Sequence, residues 1–537
     1  MFGARIFPAP NDSRGAAVLS FITLPKNPGG NLMKQSIVAV CLIALSVNGF
    51  FSVSAQTASV RAYRESREAE ILREFVELLS IPNHANDTVN IRRNADWLIA
   101  MLRRRGAEAR LLEGNGPPAV FGEIKTPGAT RTLGFYAHYD GQAADPTTWA
   151  SDPFKPVLRD KPLEAGGRVI DFPKAGEKVD PEARLYARSA SDDKAPIIAL
   201  MIALDALKAT GQRLTSNIKF LLDGEEEAGS LHLEDIVKRN AALLKADAWL
   251  CADGPVHQTR RPLIYFGVRG VVTATITVYG PDRGLHSGHY GNWAPNPAMR
   301  LAQLLASMKD DKGRVLIDGF YTDAEPLGEE EKKALKEMPD IDADLMREYG
   351  LAAVEGDGRS LAELINEPSL NIDGIRSEYV GRESRTIIPA EATATIDLRL
   401  VKGIDPRRQV ERVIAHIKKQ GYFVTTEEPD RATRLRYPLI ARVVSNDGYR
   451  AVRTSMGLAI SQQIIRAAEQ ALGGRLVLAP TLGGSVPLYI LESGTGSPQI
   501  GVPIVNHDNN QHSINENVRI KNLWDGIETF AAIMTMR

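Results

Sequence analysis

Three consecutive glutamates, Glu225-Glu226-Glu227, follow the apolar run Ile218 to Leu222 and precede Ala228-Gly229-Ser230. Carboxylates this close repel one another unless water or cations neutralise them. Taken alone, the triplet suits a solvated charge run as well as a metal site. A second pair lies in Phe135-Tyr136-Ala137-His138-Tyr139-Asp140, where the two-residue period of a strand puts His138 and Asp140 on one face at the strand's end. There an imidazole can bind a metal while the carboxylate fixes its other ring nitrogen; a capped strand end with a polar turn uses the same residues. Asp192-Asp193-Lys194 opens a helix, where free amides and the helix dipole favour anions. Capping accounts for one of those aspartates but not readily for two. Asp253, before Gly254, and His512, near the C-terminus, are weak signals singly, since Asp before Gly is a common turn.

Such side chains act together only if the elements carrying them end at one place. Arg61 to Ser80 and Ile91 to Arg105 have apolar residues at helical spacing, while Arg131 to Ala137, Ser216 to Leu222 and Ala246 to Ala252 read as short buried strands. With a helix at Lys194 to Thr210 between the first two strands, the pattern predicts an α/β sheet. From Gly267 the character changes. Val271 to Tyr279 and Ala392 to Leu400 alternate β-branched and small residues, flanking helices at Pro297 to Lys309 and Pro406 to Gln420, which predicts a smaller inserted α+β domain. The charged, helical stretch Glu329 to Leu351 is expected as a surface excursion of that insertion. Lys161 to Ala183, polar and rich in Gly and Pro, reads as a loop near the cleft, able to reshape the substrate pocket.

The start of the chain has the layout of a secretory signal: Met33, then Lys34, a largely apolar Ile37 to Phe51, and the small-residue site Val53-Ser54-Ala55. The apolar run is too short for a comfortable membrane span. Cleavage is expected after Ala55, giving a periplasmic or secreted protein with no stable span, and residues 1–32 read as an over-long start. Cys41 falls in the signal, behind a Val40 bulkier than a lipoprotein site allows; only Cys251 then remains, so core packing and metal, not an internal disulfide, must hold the fold. With 65 basic and 66 acidic residues, net charge −1, the chain has no basic block suited to nucleic acid.

In order along the chain, Asp192-Asp193-Lys194, Glu226-Glu227-Ala228-Gly229-Ser230, Leu285-His286-Ser287-Gly288-His289-Tyr290-Gly291, Gly483-Gly484-Ser485-Val486-Pro487 and Gln511-His512-Ser513 resemble the co-catalytic di-zinc amidohydrolases. That family includes carnosine dipeptidases, aminoacylases, glutamate carboxypeptidases and succinyl-diaminopimelate desuccinylases, and the likeness is strongest to its dipeptidase branch. It implies an α/β, zinc-peptidase-like three-layer catalytic domain (56–266 and 430–537) with an inserted α+β, ferredoxin-like dimerisation or lid domain (267–429). It implies two zinc ions, His138 and Asp253 on one, Glu227 and His512 on the other, Asp192 bridging. Asp140 orients His138. The Ala-Gly-Ser frame makes Glu226 the general base for a metal-bridging hydroxide that attacks the amide, and leaves Glu225 as an extra. The resemblance further implies that His286, supplied across a homodimer interface, stabilises the oxyanion and that Arg399 clamps a substrate carboxylate, with Thr386 and Ser485 adding neutral hydrogen bonds.

Two features depart from the family pattern: Ala195 stands where dipeptidase relatives usually have glycine after the lysine, and the 161–183 span looks inserted. Ligand types alone do not separate zinc from manganese or cobalt. The leading reading is a dipeptidase or short-peptide hydrolase; a deacylase of N-acyl amino acids or a carboxypeptidase uses the same site, and a metal-containing binding protein without turnover is the alternative from another class.

Overall fold

The computed structural model describes residues 56–537. The expected extension 1–32 and signal 33–55 lie outside the described residues. The main body is built on an eight-stranded mixed sheet, in the spatial order Glu108–Leu112, Ala119–Ile124, Asn217–Asp223, Thr132–His138, Ala248–Cys251, Gln499–Gly501, Leu263–Tyr265, Val477–Ala479. Alternation along the central strands explains the layers. Leu133, Phe135, Ile218, Phe220, Ala248 and Leu250 point into one hydrophobic core, whereas Tyr136, Leu221, Trp249 and Cys251 point into another on the opposite face. Helices cover both faces, giving three layers; Lys194–Ala209, Thr88–Arg104 and Ile520–Met534 pack on the first core, Leu233–Arg239 and Leu488–Thr495 on the second. Gly134 permits the strand contact at the second face, because a Cβ there would lie 2.3 Å from the Trp249 indole.

Thr132–His138 runs parallel to both Asn217–Asp223 and Ala248–Cys251, and the latter is parallel to Gln499–Gly501. Four strands therefore end on the same edge, where open α/β sheets place their ligands. The segments bearing Glu226, Asp253 and His512 all follow those ends.

The inserted unit has a five-stranded sheet, ordered Ser369–Arg376, Glu391–Leu400, Gly270–Tyr279, Ile440–Ser445, Phe423–Thr425. Helices Pro297–Ala306 and Pro406–Lys419, each with proline in its first turn and capped by Asn296 or Asp405, bury Leu304 and Val413 against Ile276, Ile396 and Leu398. The sequence pattern shows only the two long strands. Ser369–Arg376 escapes it because the strand is an exposed edge interrupted by a bulge at Ile372/Gly374, and Ile440–Ser445 carries the sheet beyond the expected boundary at residue 429.

Three other expectations change. The helical pattern over 61–80 is broken at Ser66-Arg67, and Glu68–Leu79 is a separate helix. Helix Glu329–Glu337 is no surface excursion: it packs on strand Val477–Ala479 of the main body, sinks Ala334 into its core, and accepts the Met456 N–H on Glu331. Only Glu331 and Ala334 are buried in that helix, so no apolar stripe marked the contact. Nor does 161–183 line the main cleft. It borders the cleft, as expected, through Asn510, a cleft-lining residue that donates to Glu164, while Val179 N–H to Glu68 ties it to the body and it includes the short strand Val169–Ile170. Among the described residues no helix is long and apolar enough to cross a membrane.

Candidate active site

At the strand ends two clusters of ligand-type side chains meet. His138, Asp193 and Asp253 offer ligand atoms within 4.8 Å of one another, and so do Asp192, Glu227 and His512. Asp192 joins the clusters: its Oδ1 is 2.7 Å from His138 Nε2 and its Oδ2 is 3.2 Å from His512 Nε2. Glu227 Oε2 lies 3.1 Å from the same His512 nitrogen. Asp193, to which the sequence assigned no ligand role, stands with His138 and Asp253, and one of its oxygens is buried without a hydrogen-bond partner. His512 sits at the solvent rim on a loop where Asn510, His512 and Asn515 all have φ near +60°, a conformation found at functional turns more than in ordinary loops.

The surrounding shell fixes these groups. Asp140 accepts the backbone N–H of Glu226 on one oxygen and of Glu227 on the other, both at 3.0 Å, and its Oδ1 is 3.3 Å from His138 Nδ1. One carboxylate thus holds the glutamate turn by two hydrogen bonds and stands at ion-pair distance from the His138 ring, whose Nδ1 makes no well-aligned hydrogen bond. Glu225 turns away from the site and holds His232 through its backbone N–H and ring nitrogen, which gives the third glutamate a structural task. Gln142 donates to Glu227. Glu516 is wholly buried and accepts from Ser189 N, Ser191 N, Ser191 Oγ, Asp192 N and the Arg188 guanidinium at 2.8–2.9 Å. It anchors the segment that presents Asp192. Arg188 also donates to Ser513 O, next to His512. No spacing signal announced Glu516, whose role depends on a loop folding back across the chain.

Five carboxylates, Asp192, Asp193, Glu226, Glu227 and Asp253, face two histidines here. Burial pushes Asp193 and Glu226 well above the ordinary carboxylate range, and burial with neighbouring Asp192 raises Asp253 to about 7. Burial also works to raise Asp192, but hydrogen bonds from His138 and His512 outweigh it and hold that group low. His512 is raised to about 10 by its bonds to Asp192 and Glu227. So many acids in low dielectric need protons or cations. An orphaned Asp193 oxygen, mixed oxygen and imidazole donors, and an acid shared between two clusters fit divalent metal.

The model of peptidase family M20/M25/M40 matches residues 134–536. The chain belongs to that family. The Cys-Gly metallodipeptidase DUG1 of Saccharomyces cerevisiae is 28% identical over 427 residues, covering 78% of this chain and 82% of that protein. The human Beta-Ala-His dipeptidase is 27% identical over 535 residues, covering 93% and 97%. Among solved structures, the M20 family metallo-carboxypeptidase Sso-CP2 from Sulfolobus solfataricus superposes with TM-score 0.71 at 28% identity, over 87% of this chain and 99% of that one. The M20 protein is therefore a metal-dependent hydrolase of peptide bonds, and the reading without turnover falls.

The remaining expected site residues of this M20 chain divide in two. Arg399 and Ser485 line the same cleft as Asp192, Glu226 and Asp253, a space of about 1090 Å³. Arg399 bridges the two domains, donating to Ser485 Oγ at 3.0 Å and to Asp397 at 3.0 Å. His286 and Thr386 are not brought there. They lie together on a two-stranded ribbon of the inserted unit, Leu285–His286 with Ile387–Ile388, where Thr386 O accepts the Ser287 N–H and both side chains face solvent.

Proposed function

We propose that this M20 hydrolase is a di-zinc dipeptidase, exported and active as a homodimer. The observation that carries the reading is the meeting of two ligand clusters at Asp192, beside Glu226, in the cleft that Arg399 and Ser485 also line. The dipeptidase names of the relatives above support the substrate size. His138 and Asp253 would hold one ion and Glu227 and His512 the other, with Asp192 shared. When bound, such a pair polarises the amide carbonyl and lowers the pKa of the attacking water.

Each remaining part falls to the protein. Glu226, whose proton affinity is raised by burial, takes the proton from the water and passes it to the departing nitrogen. Asp140 keeps His138 and the Glu226–Glu227 turn in register. Arg399, oriented by Asp397 and Ser485, offers its remaining N–H groups to the substrate carboxylate, for which a planar fork suits.

His286 is exposed on the inserted unit, so a second copy must bring it to the cleft, with Thr386 beside it. In support, that unit has an unpaired edge strand, Ser369–Arg376, with Ile375 63% exposed, and exposes Trp293 at 78% and Val380 at 86%. Export rests on the residue pattern at 33–55; the mature protein should begin at Gln56 when its N-terminus is sequenced.

A deacylase or carboxypeptidase acting at the same centre is the second reading, favoured by the 28% identity to a structure named as a metallo-carboxypeptidase. A hydrolysis panel of dipeptides against N-acyl amino acids separates them, with Glu226→Gln as control. Turnover confined to N-acyl substrates overturns the dipeptidase reading, and an active Glu226→Gln protein with unchanged metal overturns the assigned base.

A further inference from the structure

The segment after helix Glu329–Glu337 continues along the cleft. Having docked on the main body through Ala334 and Glu331, the chain runs through Met338 and Ile341 into helix Asp342–Tyr349, whose Leu345 and Tyr349 are four apart and share a face. These four residues line the cavity that holds Asp192, Glu226 and Arg399, as does Ile365 of the following helix Leu361–Ile365. Leu482, on the loop that carries Ser485, is a further apolar part of that lining and packs with Met338 against one core.

Helix Asp342–Tyr349 buries no residue, and its Tyr349 is 64% exposed. An apolar row left half-covered toward a catalytic cleft gains burial only when something enters that cleft. The wall also contains acids, which could suggest a cationic ligand instead. Two of them are engaged locally: Asp340 accepts the Asp342 N–H, and Asp342 accepts the Leu361 N–H. Glu348 adds one exposed carboxylate to the same wall, against the hydrocarbon, thioether and aromatic side chains of Met338, Ile341, Leu345, Tyr349, Ile365 and Leu482.

We infer that Met338, Ile341, Leu345, Tyr349, Ile365 and Leu482 form a specificity pocket for a bulky apolar side chain of the substrate. The inference rests on the peptidase reading above and names the class of peptide that the site prefers: one carrying Leu, Ile, Met or Phe beside the scissile amide. Small and acidic side chains leave the wall uncovered or set a charge against it. Apolar pockets of this kind discriminate by about 10- to 200-fold per missing group.

The test is a kcat/KM series on the full, metal-loaded protein with Gly-Gly, Gly-Leu, Leu-Gly, Gly-Phe, Phe-Gly, Gly-Asp and Asp-Gly. At least one Leu or Phe dipeptide should exceed Gly-Gly and both Asp dipeptides by about tenfold or more. Leu345→Asp should collapse that ratio, Leu345→Met should restore it, and Tyr349→Ser, at a position too exposed to threaten folding, should reduce it in part. Hydrolysis of none of the dipeptides overturns the dipeptidase reading and this inference with it. Dipeptide hydrolysis with no apolar preference, or equal losses on every substrate in Leu345→Asp and Tyr349→Ser, overturns this inference alone. A change in solution mass in those variants with the ratio unchanged assigns the wall to a protein interface and overturns it as well.

Discussion

The strand-end cluster and the His286 ribbon are both histidine-bearing parts of the proposed catalytic machinery, and they are built in opposite ways. At the cluster, His138 is fully buried, Asp140 accepts a backbone N–H on each oxygen, Glu516 accepts five hydrogen bonds, and one chain brings every side chain together. On the ribbon, His286 and Thr386 face solvent away from the cleft of their own chain. Carboxylates crowded in a low-dielectric site repel one another, so they must be held in place by buried hydrogen bonds and neutralised by protons or cations. A group that only donates to developing charge can be delivered by a second body, provided the two dock with fixed geometry. The comparison predicts loss of chemistry from changes at the cluster and dimer-dependent, complementable loss from changes on the ribbon.

The largest effect should come from the cluster. Glu226→Gln is expected to lower kcat by about 10²- to 10⁴-fold while metal content, measured by mass spectrometry, stays the same. His286→Ala should follow, with a loss of about 10²- to 10³-fold. Its cause can be separated from a local one by mixing: exchanging protomers of His286→Ala with those of Glu226→Gln should regain activity, because a mixed dimer holds one cleft with its own Glu226 and an intact His286 from its neighbour. Absence of any regain in a verified mixed dimer breaks the contrast between the two regions.

Smaller effects sharpen the contrast. Glu516→Ala removes the acceptor for three backbone N–H groups and for Arg188, so the Asp192 segment loosens; metal affinity should fall about 10- to 100-fold by competition with a chelating dye. Glu516→Gln keeps one acceptor oxygen and should fall less. Arg399→Lys retains charge but not the fork held by Ser485 and Asp397, and is expected to raise KM by about tenfold, with little change in kcat.

How far the sequence reached follows the same division. The central strands were legible because each face of Thr132–His138, Asn217–Asp223 and Ala248–Cys251 is packed, which leaves short apolar runs with chemistry at their ends. His138, Asp192, Glu227, Asp253 and His512, picked from five separated segments, lie together in the structure. Residues acting through long-range folding were not legible: Glu516 reaches back to Ser189–Asp192, Asp193 shows its place only once the turn is formed, and helix Glu329–Glu337 crosses to the main body on one alanine and one buried glutamate. Only two of the five strands of the inserted sheet were visible; its exposed edge Ser369–Arg376, for one, lacks the alternation that Glu391–Leu400 shows over ten residues. The 161–183 span was legible as a loop beside the cleft, where Glu164 accepts from the cleft-lining Asn510, but its own side chains stay out of the cavity lining and Val179 fastens it to Glu68.

Metal stoichiometry is the most direct check on the shared-acid centre. Active wild-type protein, analysed for bound metal alongside Asp192→Asn, should carry two divalent ions per chain, and the variant should lose both the metal and the activity. One ion or none in fully active protein, or two retained in an active Asp192→Asn, would contradict a centre built around that bridging carboxylate.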